Sequence, residues 1–514
     1  MSFKNYIIVG GGISGLTTAW CLARYAPSTT KITLLEASNR FGGWIESKRV
    51  GNHQILFEQG PRTIRPAGIG GLLILDMTNK LNLTSSILSV TKYDPSAINR
   101  FIYYPDKLVK LSSSSVLSHI KTLITNKFMW KIIMGIIQEP FIPMISKEIS
   151  DESIEAFITR RLGSTASQVL MSSLVHGIYA GDVSKLSIRS TFNKLYELER
   201  NHGSIIKGLT KSSVNTTMFS DELDKMLYDN MVEENKEIFN FVSGISLFSF
   251  KNGIEEFVDA IVKDLQTKEN IEIKTGHEVK EMVFGNDCVE VHTNKESICS
   301  DHVISTIPSN ILYDILPKDY KFSQLKYNPS VSVAIVNFSY DQPNILPVKG
   351  FGYLIPKSTQ NNLHNVLGVV FDSCTMPYQD ELFNNFTKLT VMMGGHYYND
   401  NFDNQQKLFS EEELLNQSLE ILENHLGIYN TPADYSVKLA RNCIPQYYVG
   451  HYDRMKELHY EIKSKLKNRL SVGGASYWGV SLNDCVLNST KLVLKLLKNN
   501  EIITGLEKVE QFNR

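Results

Sequence analysis

Apolar residues along this chain group into runs of different period. Residues 6–9 (YIIV) are aromatic or β-branched without a polar break, which predicts a parallel strand buried on both faces. The segment LTTAWCLARYA then predicts a helix, and a second strand over 31–35 ends at Glu36. Far along the chain, Leu470-Ser471-Val472 predicts a short strand with a helix over 486–498 behind it. Between these ends, KNGIEEFVDAIVKDL has the period of an amphipathic helix, and IEIKTGHEVKEM reads as strands around Val279. VSVAIVNFSY, NVLGVVFDS and LTVMMGG alternate as antiparallel strands do. The most apolar stretch, 128–145, is interrupted by Lys131, Glu139, Pro140 and Pro143, so it is not expected to span a bilayer. The run DELDKMLYDNMVEENKE is acidic and polar and is expected to be a solvated helix or loop.

Glycines mark two strand-to-helix turns. Gly10, Gly12 and Gly15 form G-x-G-x-x-G between the first strand and helix. In such a turn the first glycine allows a tight bend, the second lets a pyrophosphate reach the backbone, and the third lets helix and strand pack closely. Glu36 follows about 20 residues later, where a carboxylate accepts hydrogen bonds from a ribose diol. Arg40, Gly42 and Gly43 add a second glycine turn with a cation. GGASYWG, beginning at Gly473, repeats the strand-turn-helix order near the other end of the chain.

At 514 residues the chain is too long for one core, so two or three lobes are expected. A formal net charge of −1 gives no general attraction to nucleic acid, and no nucleic-acid partner is expected. Six scattered cysteines without C-x-x-C argue against zinc or a disulfide framework and for reduced, structural thiols. The histidines lack metal-ligand spacing, so no metal site is expected. With the first strand beginning by Tyr6, no cleavable leader is expected in the five residues before it. Residues 91–150 hold eight Lys or Arg (Lys92, Arg100, Lys107, Lys110, Lys121, Lys127, Lys131, Lys147) against four acids. That excess sits beside Phe128, Trp130, Ile132, Ile133, Ile136 and Ile137, a composition suited to a membrane interface or to an ordinary core helix. Arg100, between apolar residues, needs an anionic partner or solvent.

The R-x-G-G of Arg40–Gly43, placed after Glu36, resembles the FAD-dependent amine oxidase and desaturase superfamily. Ten blocks in shared order narrow the resemblance: GGGISGL, RFGGWI, EQGPRTIRPAG, NRF, GIYAGD, LSIRS, ISTIP, GFGYLIP, NCIPQY and GASYWGVSLNDC. Together they resemble the protoporphyrinogen oxidases of the mitochondrial type over nearly the whole chain. Another amine oxidase or desaturase of the superfamily would share both glycine turns but not the placing of NRF and GIYAGD. The non-enzymatic Rab GDP-dissociation inhibitors share the fold but lack the C-terminal flavin turn.

The resemblance implies an α/β and α+β architecture. A discontinuous Rossmann-like FAD-binding domain would comprise 1–90, 245–310 and 441–514. A helical membrane-binding and substrate-access domain would cover 91–215, the acidic excursion 216–244, and an antiparallel-sheet substrate domain 311–440. One extended FAD would lie along both glycine turns: Gly10, Gly11, Gly12, Ile13, Ser14 and Gly15, then Glu36, Ala37, Arg40, Gly43 and Trp44. Gly60, Pro61, Arg62, Thr63 and Val279 would join them. Gly474, Ala475, Val480, Ser481 and Leu482 would face the flavin. Tyr452 would also do so, where relatives often carry Trp. Protoporphyrinogen IX would be bound by Arg100, through a propionate, and by Gly177, Phe351, Leu354, Val370 and Met392. The flavin carries the chemistry, so no catalytic side chain is implied. O2 would be the final acceptor. The implied setting is the mitochondrial inner membrane, peripherally on the intermembrane-space side, as a homodimer handing product to ferrochelatase.

Overall fold

The computed structural model describes residues 4–111, 126–146, 148–211, 219–234, 242–327, 329–381, 385–398, 409–498 and 501–511; Lys121 and Lys147 of the basic stretch lie outside them. The fold is mixed α/β. Its first layer is a five-stranded parallel sheet in the order Leu470–Val472, His302–Ser305, Asn5–Val9, Lys31–Leu35, Ile271–Lys274. The uninterrupted apolar run puts Asn5–Val9 at its centre, with Tyr6 to Val9 buried. The helices Ile13–Tyr25, Gly68–Lys80, Glu255–Gln266 and Leu482–Lys498 pack together on one face around Leu16, Trp20, Phe257 and Val493. The predicted C-terminal helix thus begins four residues earlier than its apolar pattern, at Leu482. A small antiparallel sheet, Val279–Phe284, Val289–Thr293 and Ser297–Ser300, covers the other side.

The second layer is a seven-stranded sheet: Asp434–Pro445, Ser330–Tyr340, Thr387–Gly395, Val366–Val370, Gly352–Leu354, Phe101–Tyr103 and Leu108–Lys110. All pairs are antiparallel except Gly352–Leu354 with Phe101–Tyr103. Ser330–Tyr340 alternates, yet both of its faces are covered. Ala334, Val336, Phe338 and Tyr340 pack under the helix Glu411–Leu426, while Val331, Val333 and Ile335 join Ala180, Leu367 and Met392.

Helices Lys127–Gln138, Ile154–Leu162, Ser172–Tyr179, Asn193–His202 and Ile205–Lys211 form a third group. Glu139, which interrupts the apolar stretch, is fully buried. It accepts from Arg161 Nε at 2.8 Å and from the Ile205 and Ile206 amides at 2.8 and 3.1 Å, so it caps the helix Ile205–Lys211 and pairs a buried cation. The outward face of Lys127–Gln138 exposes Trp130, Met134 and Ile137, with Phe141 beyond, an i, i+4, i+7, i+11 stripe. Among the described residues no helix is long and apolar enough to cross a membrane. Residues 216–218 and 235–241 of the acidic excursion lie outside the described residues, and the helix expected there as solvated is partly buried. Glu222–Glu234 is a helix that buries Asp224, Leu227 and Met231 against Gly68–Lys80, with Lys491 paired to Asp221 and Asp224 at 2.9 and 2.6 Å. Its apolar positions four residues apart outweigh its mean polarity.

Candidate functional site

The parallel sheet brings the two distant glycine turns together. Asn5–Val9 and Leu470–Val472 both flank His302–Ser305, so both turns leave the same sheet end. Thr306 joins them: its hydroxyl lies 3.0 Å from the Val9 and Gly10 carbonyls, and a Cβ on Gly474 would sit 3.1 Å from its carbonyl oxygen. Sequence reasoning quoted Thr306 only within ISTIP; its role appears once the strands are ordered.

Each glycine of the first turn has a separate reason. Gly10 has φ +105°, and a Cβ on Gly15 would fall 1.8 Å from the Gly10 carbonyl oxygen. A Cβ on Gly11 would strike Phe41 and Glu36 at 2.6 and 2.8 Å. Gly12 differs, because a Cβ there would meet only the Gly43 Cα, at 3.9 Å. Gly12 therefore faces open space at the start of the helix Ile13–Tyr25, whose first amides point the same way. Glu36 receives the Gly11 amide on Oε2 at 2.7 Å and the Ser38 amide on Oε1 at 2.8 Å, and each oxygen keeps acceptor capacity. The His277 amide donates to the Glu36 carbonyl at 2.9 Å, which brings the strand beginning at Val279 beside this carboxylate.

Arg40 is held within its own turn. Its guanidinium donates to the carbonyls of Phe41, Gly43 and Ile45 at 3.1, 2.6 and 2.9 Å, with Glu46 and Glu255 each 3.6 Å away. It shapes the loop that presents Gly43, while Ala37 and Trp44 are exposed. Gly60 permits that loop to pass close by, since a Cβ there would lie 2.1 Å from the Trp44 carbonyl oxygen. Beyond it Pro61 is exposed and Thr63 half-buried, but Arg62 is buried. Arg62 Nη1 donates to Asp372 and Thr390 at 2.8 and 2.7 Å, tying the loop after Gly60 to the second sheet. Its Nε and Nη2 are buried with no hydrogen-bond partner among the described residues. Such donors are rare unless a ligand or water completes them.

The second turn is braced from outside. Tyr447 donates its hydroxyl to the Ala475 carbonyl, and His451 Nε2 lies 2.8 Å from the Tyr477 carbonyl. The Ser481 hydroxyl caps the amide of Asp484 at 3.1 Å. Val480, Ser481 and Leu482 lie where the helix opens. Tyr452 is buried behind the turn: its hydroxyl donates to the Val509 carbonyl at 2.8 Å, and Arg189 stacks 3.6 Å above its ring.

On the second sheet, Leu354, Gly368, Met392 and Ile335 stand in one cross-strand row, and Val370 pairs with Thr390 on the same face. Leu354, Val370 and Met392 are partly exposed, whereas Tyr353, Val369, Val391 and Met393 on the opposite face are buried. The row therefore forms a partly exposed apolar face, and Arg62 reaches Thr390 on it. Gly177 joins it from the helix Ser172–Tyr179; a Cβ there would lie 3.0 Å from Leu354 Cδ1. Arg100 stacks over the Phe351 ring, 4.4 Å from its centroid. No carboxylate among the described residues pairs with it, and burial followed by the nearby Arg65 cation lowers its pKa to about 10. Arg65 falls within the EQGPRTIRPAG block, but nothing in the sequence ties it to Arg100. Equally illegible is a buried pair behind Gly177, His176 Nε2 to His396 Nε2 at 3.1 Å, with His176 lowered to about 4 by burial.

A family model described as flavin containing amine oxidoreductase matches residues 13–491. The chain belongs to this family of flavoproteins. Within it, the chain is 36% identical over 499 residues to the protoporphyrinogen oxidase of Schizosaccharomyces pombe, covering 95% of this chain and 98% of that protein. It is 33% identical over 499 residues to the protoporphyrinogen oxidase of Homo sapiens, covering 96% and 98%. The solved structure of a putative protoporphyrinogen oxidase from Exiguobacterium superposes with a TM-score of 0.75 at 22% identity, over 97% of this chain and 100% of that one.

Proposed function

We propose that this chain oxidises protoporphyrinogen IX to protoporphyrin IX with FAD as cofactor and O2 as final acceptor. The observation that carries the reading is a partly exposed apolar face, Leu354, Val370 and Met392, with Arg62 reaching Thr390 on it and Arg100 stacked over Phe351 without a carboxylate partner among the described residues. A mostly apolar macrocycle bearing propionates needs apolar walls and a few placed cations.

The residues present fit FAD. Gly12 and Gly43 leave a backbone cleft for a pyrophosphate, Glu36 keeps acceptor capacity for a ribose, and the parallel sheet supports a Rossmann-like lobe. Arg62 Nε and Nη2 offer donors where the loop after Gly60 meets the second sheet. The N-terminus of the helix opening at Leu482 lies at the second turn, where it favours negative charge. FAD, when bound, supplies the redox chemistry, taking electrons two at a time in three rounds and yielding H2O2 with O2. The protein's part is to bind, orient and shield. Arg100 would hold a propionate, and the Leu354–Met392 row would set the macrocycle against the cofactor side of the sheet.

The stripe Trp130, Met134, Ile137 and Phe141, with Lys127 and Lys131 on the same helix, supports docking to an anionic membrane interface. The mitochondrial inner membrane is the setting this reading proposes. The test of the function is direct. Purified protein should be yellow, and adding protoporphyrinogen IX in air should produce porphyrin fluorescence that the heat-denatured protein does not.

A further inference from the structure

The small antiparallel sheet carries two cysteines on its outer face. Its register pairs Glu290 with Cys299 and Val289 with Ser300. Val289 and Val291 point inward to the core with Met282, so Glu290 and Cys299 point outward. Cys288, two residues before Glu290, falls on that same outer face, diagonal to Cys299. The Cys288 thiol donates to Cys299 Sγ at 2.7 Å. Cys288 is half-exposed and Cys299 exposed, whereas Cys21 and Cys485 are buried and Cys374 and Cys443 partly so. Burial pushes the thiols of Cys21, Cys443 and Cys485 up to about 12, 11 and 11 and closes Cys21 and Cys485 off from solvent.

A cation flanks the pair. Arg469 donates to the carbonyls of Asn286 and Asp287, just before Cys288, at 2.6 and 2.9 Å, and to that of Asp301 at 3.2 Å. The hydrogen bond to Cys299, then burial, hold the Cys288 thiol up at about 11. Cys288 therefore keeps its proton, and the more exposed Cys299 is the accepting sulfur.

We propose that Cys288 and Cys299 are a peroxide-reactive thiol pair that closes to an intramolecular disulfide. Cys299 sulfur attacks one oxygen of hydrogen peroxide, the O–O bond breaks, and the first water leaves, giving a sulfenic acid on Cys299. Cys288 sulfur then attacks Cys299 sulfur, the S–O bond breaks, and the second water carries away the Cys288 proton. Two thiols lose two electrons and one peroxide gains them. The inference takes its natural oxidant from the reading above, since the oxidase reaction releases hydrogen peroxide in the same molecule. The bond would tie the turn at 285–288 to the strand Ser297–Ser300. Through Arg469 this turn steadies Leu470–Val472 and the glycine turn after it.

The test uses the purified flavoprotein, reduced, freed of reductant and exposed to reagent hydrogen peroxide before blocking of free thiols. The expected result is a mass loss of about 2 Da and a single cross-linked peptide joining Cys288 to Cys299. Cys288→Ser should abolish the cross-link and leave a dimedone-trappable sulfenic acid at Cys299. Cys299→Ser should abolish both the link and the trapping. Both variants should keep the wild-type Tm when reduced, because neither side chain is in the core. A wild-type protein that stays folded and forms no such link under reagent peroxide overturns the proposal, as does a link to any other cysteine. In a second arm, protoporphyrinogen and air replace the reagent, and catalase should suppress the bond. Measured peroxide release without the bond would overturn self-oxidation, whereas no porphyrin and no peroxide would overturn the oxidase reading and leave the reagent arm to decide the thiol site.

Discussion

Gly12 and Gly43 face each other across the mouth of the N-terminal cradle: a Cβ on Gly43 would lie 3.2 Å from the Gly12 Cα, and a Cβ on Gly12 would touch nothing else within 4 Å. A side chain at position 12 should therefore cost the ligand and not the fold. Gly12→Val is expected to purify folded but colourless, with a Tm lowered to that of the apo protein, since bound FAD stabilises the native state. Gly15→Val should instead fail to fold, because its Cβ would lie 1.8 Å from the Gly10 carbonyl oxygen. Absorbance per chain and circular dichroism on both variants check this. Stoichiometric FAD in Gly12→Val would contradict the placement of the pyrophosphate.

Arg100 lies over Phe351 with no carboxylate partner among the described residues. If it pairs a propionate, Arg100→Ala removes a charged hydrogen bond worth roughly 1.5–3 kcal/mol. That is a loss of about 10- to 150-fold in kcat/KM, at about 1.4 kcal/mol per tenfold. A contact equally strong in ground and transition states places the loss mainly on KM. Arg100→Lys should recover part of it, and flavin content and Tm should stay near wild type. A destabilised Arg100→Ala with normal KM would sink the propionate assignment.

The local signals in the sequence were strong where the chemistry is local. The strand, the three glycines and Glu36 lie within one βαβ unit, so their pattern and their contacts coincide. Arg100 stood out because its neighbours are apolar. The illegible parts depend on distant partners. Glu139 reads as a break in an apolar run, yet it is buried because Arg161 and two amides of the helix Ile205–Lys211 reach it. Arg62 belongs to a recognisable motif, but its bonds to Asp372 and Thr390 arise only when the loop after Gly60 meets the second sheet. The mean polarity of 222–234 hid two buried apolar residues at helical spacing. Alternation in Ser330–Tyr340 gave the strand but not the helix that covers its even-numbered face.

Glu58 supplies a pH dependence. Burial pushes its carboxyl up to about 7, against hydrogen bonds from Ser47 and the Ile254 amide that favour the ion. A carboxyl raised in the folded state is stabilising while protonated, so its contribution is full below about pH 4.3 and is lost as pH rises through 7. The span is on the order of 3 kcal/mol. Glu58→Gln, neutral at every pH, should shrink the fall in Tm between pH 5 and pH 8. An undiminished fall would show that Glu58 ionises freely in the native protein.

The apolar stripe predicts a division within one helix. Trp130→Glu and Ile137→Glu change exposed residues, so they should abolish co-flotation with anionic vesicles while leaving Tm within a degree or two. Ile132→Glu, on the buried face, should lower Tm sharply through an unpaired buried charge. Flotation that survives both exposed substitutions would remove this stripe from the membrane contact.

Substrate, cofactor and acceptor are joined by one stoichiometry. Converting protoporphyrinogen IX to protoporphyrin IX removes six electrons, and a flavin passes two to each O2. Oxygen uptake, peroxide and porphyrin fluorescence should be followed together on the purified yellow protein. The expected result is three O2 consumed and three H2O2 formed for each protoporphyrin, all lost in Gly12→Val. A yellow, folded protein that leaves protoporphyrinogen untouched while oxidising an amine would contradict the account.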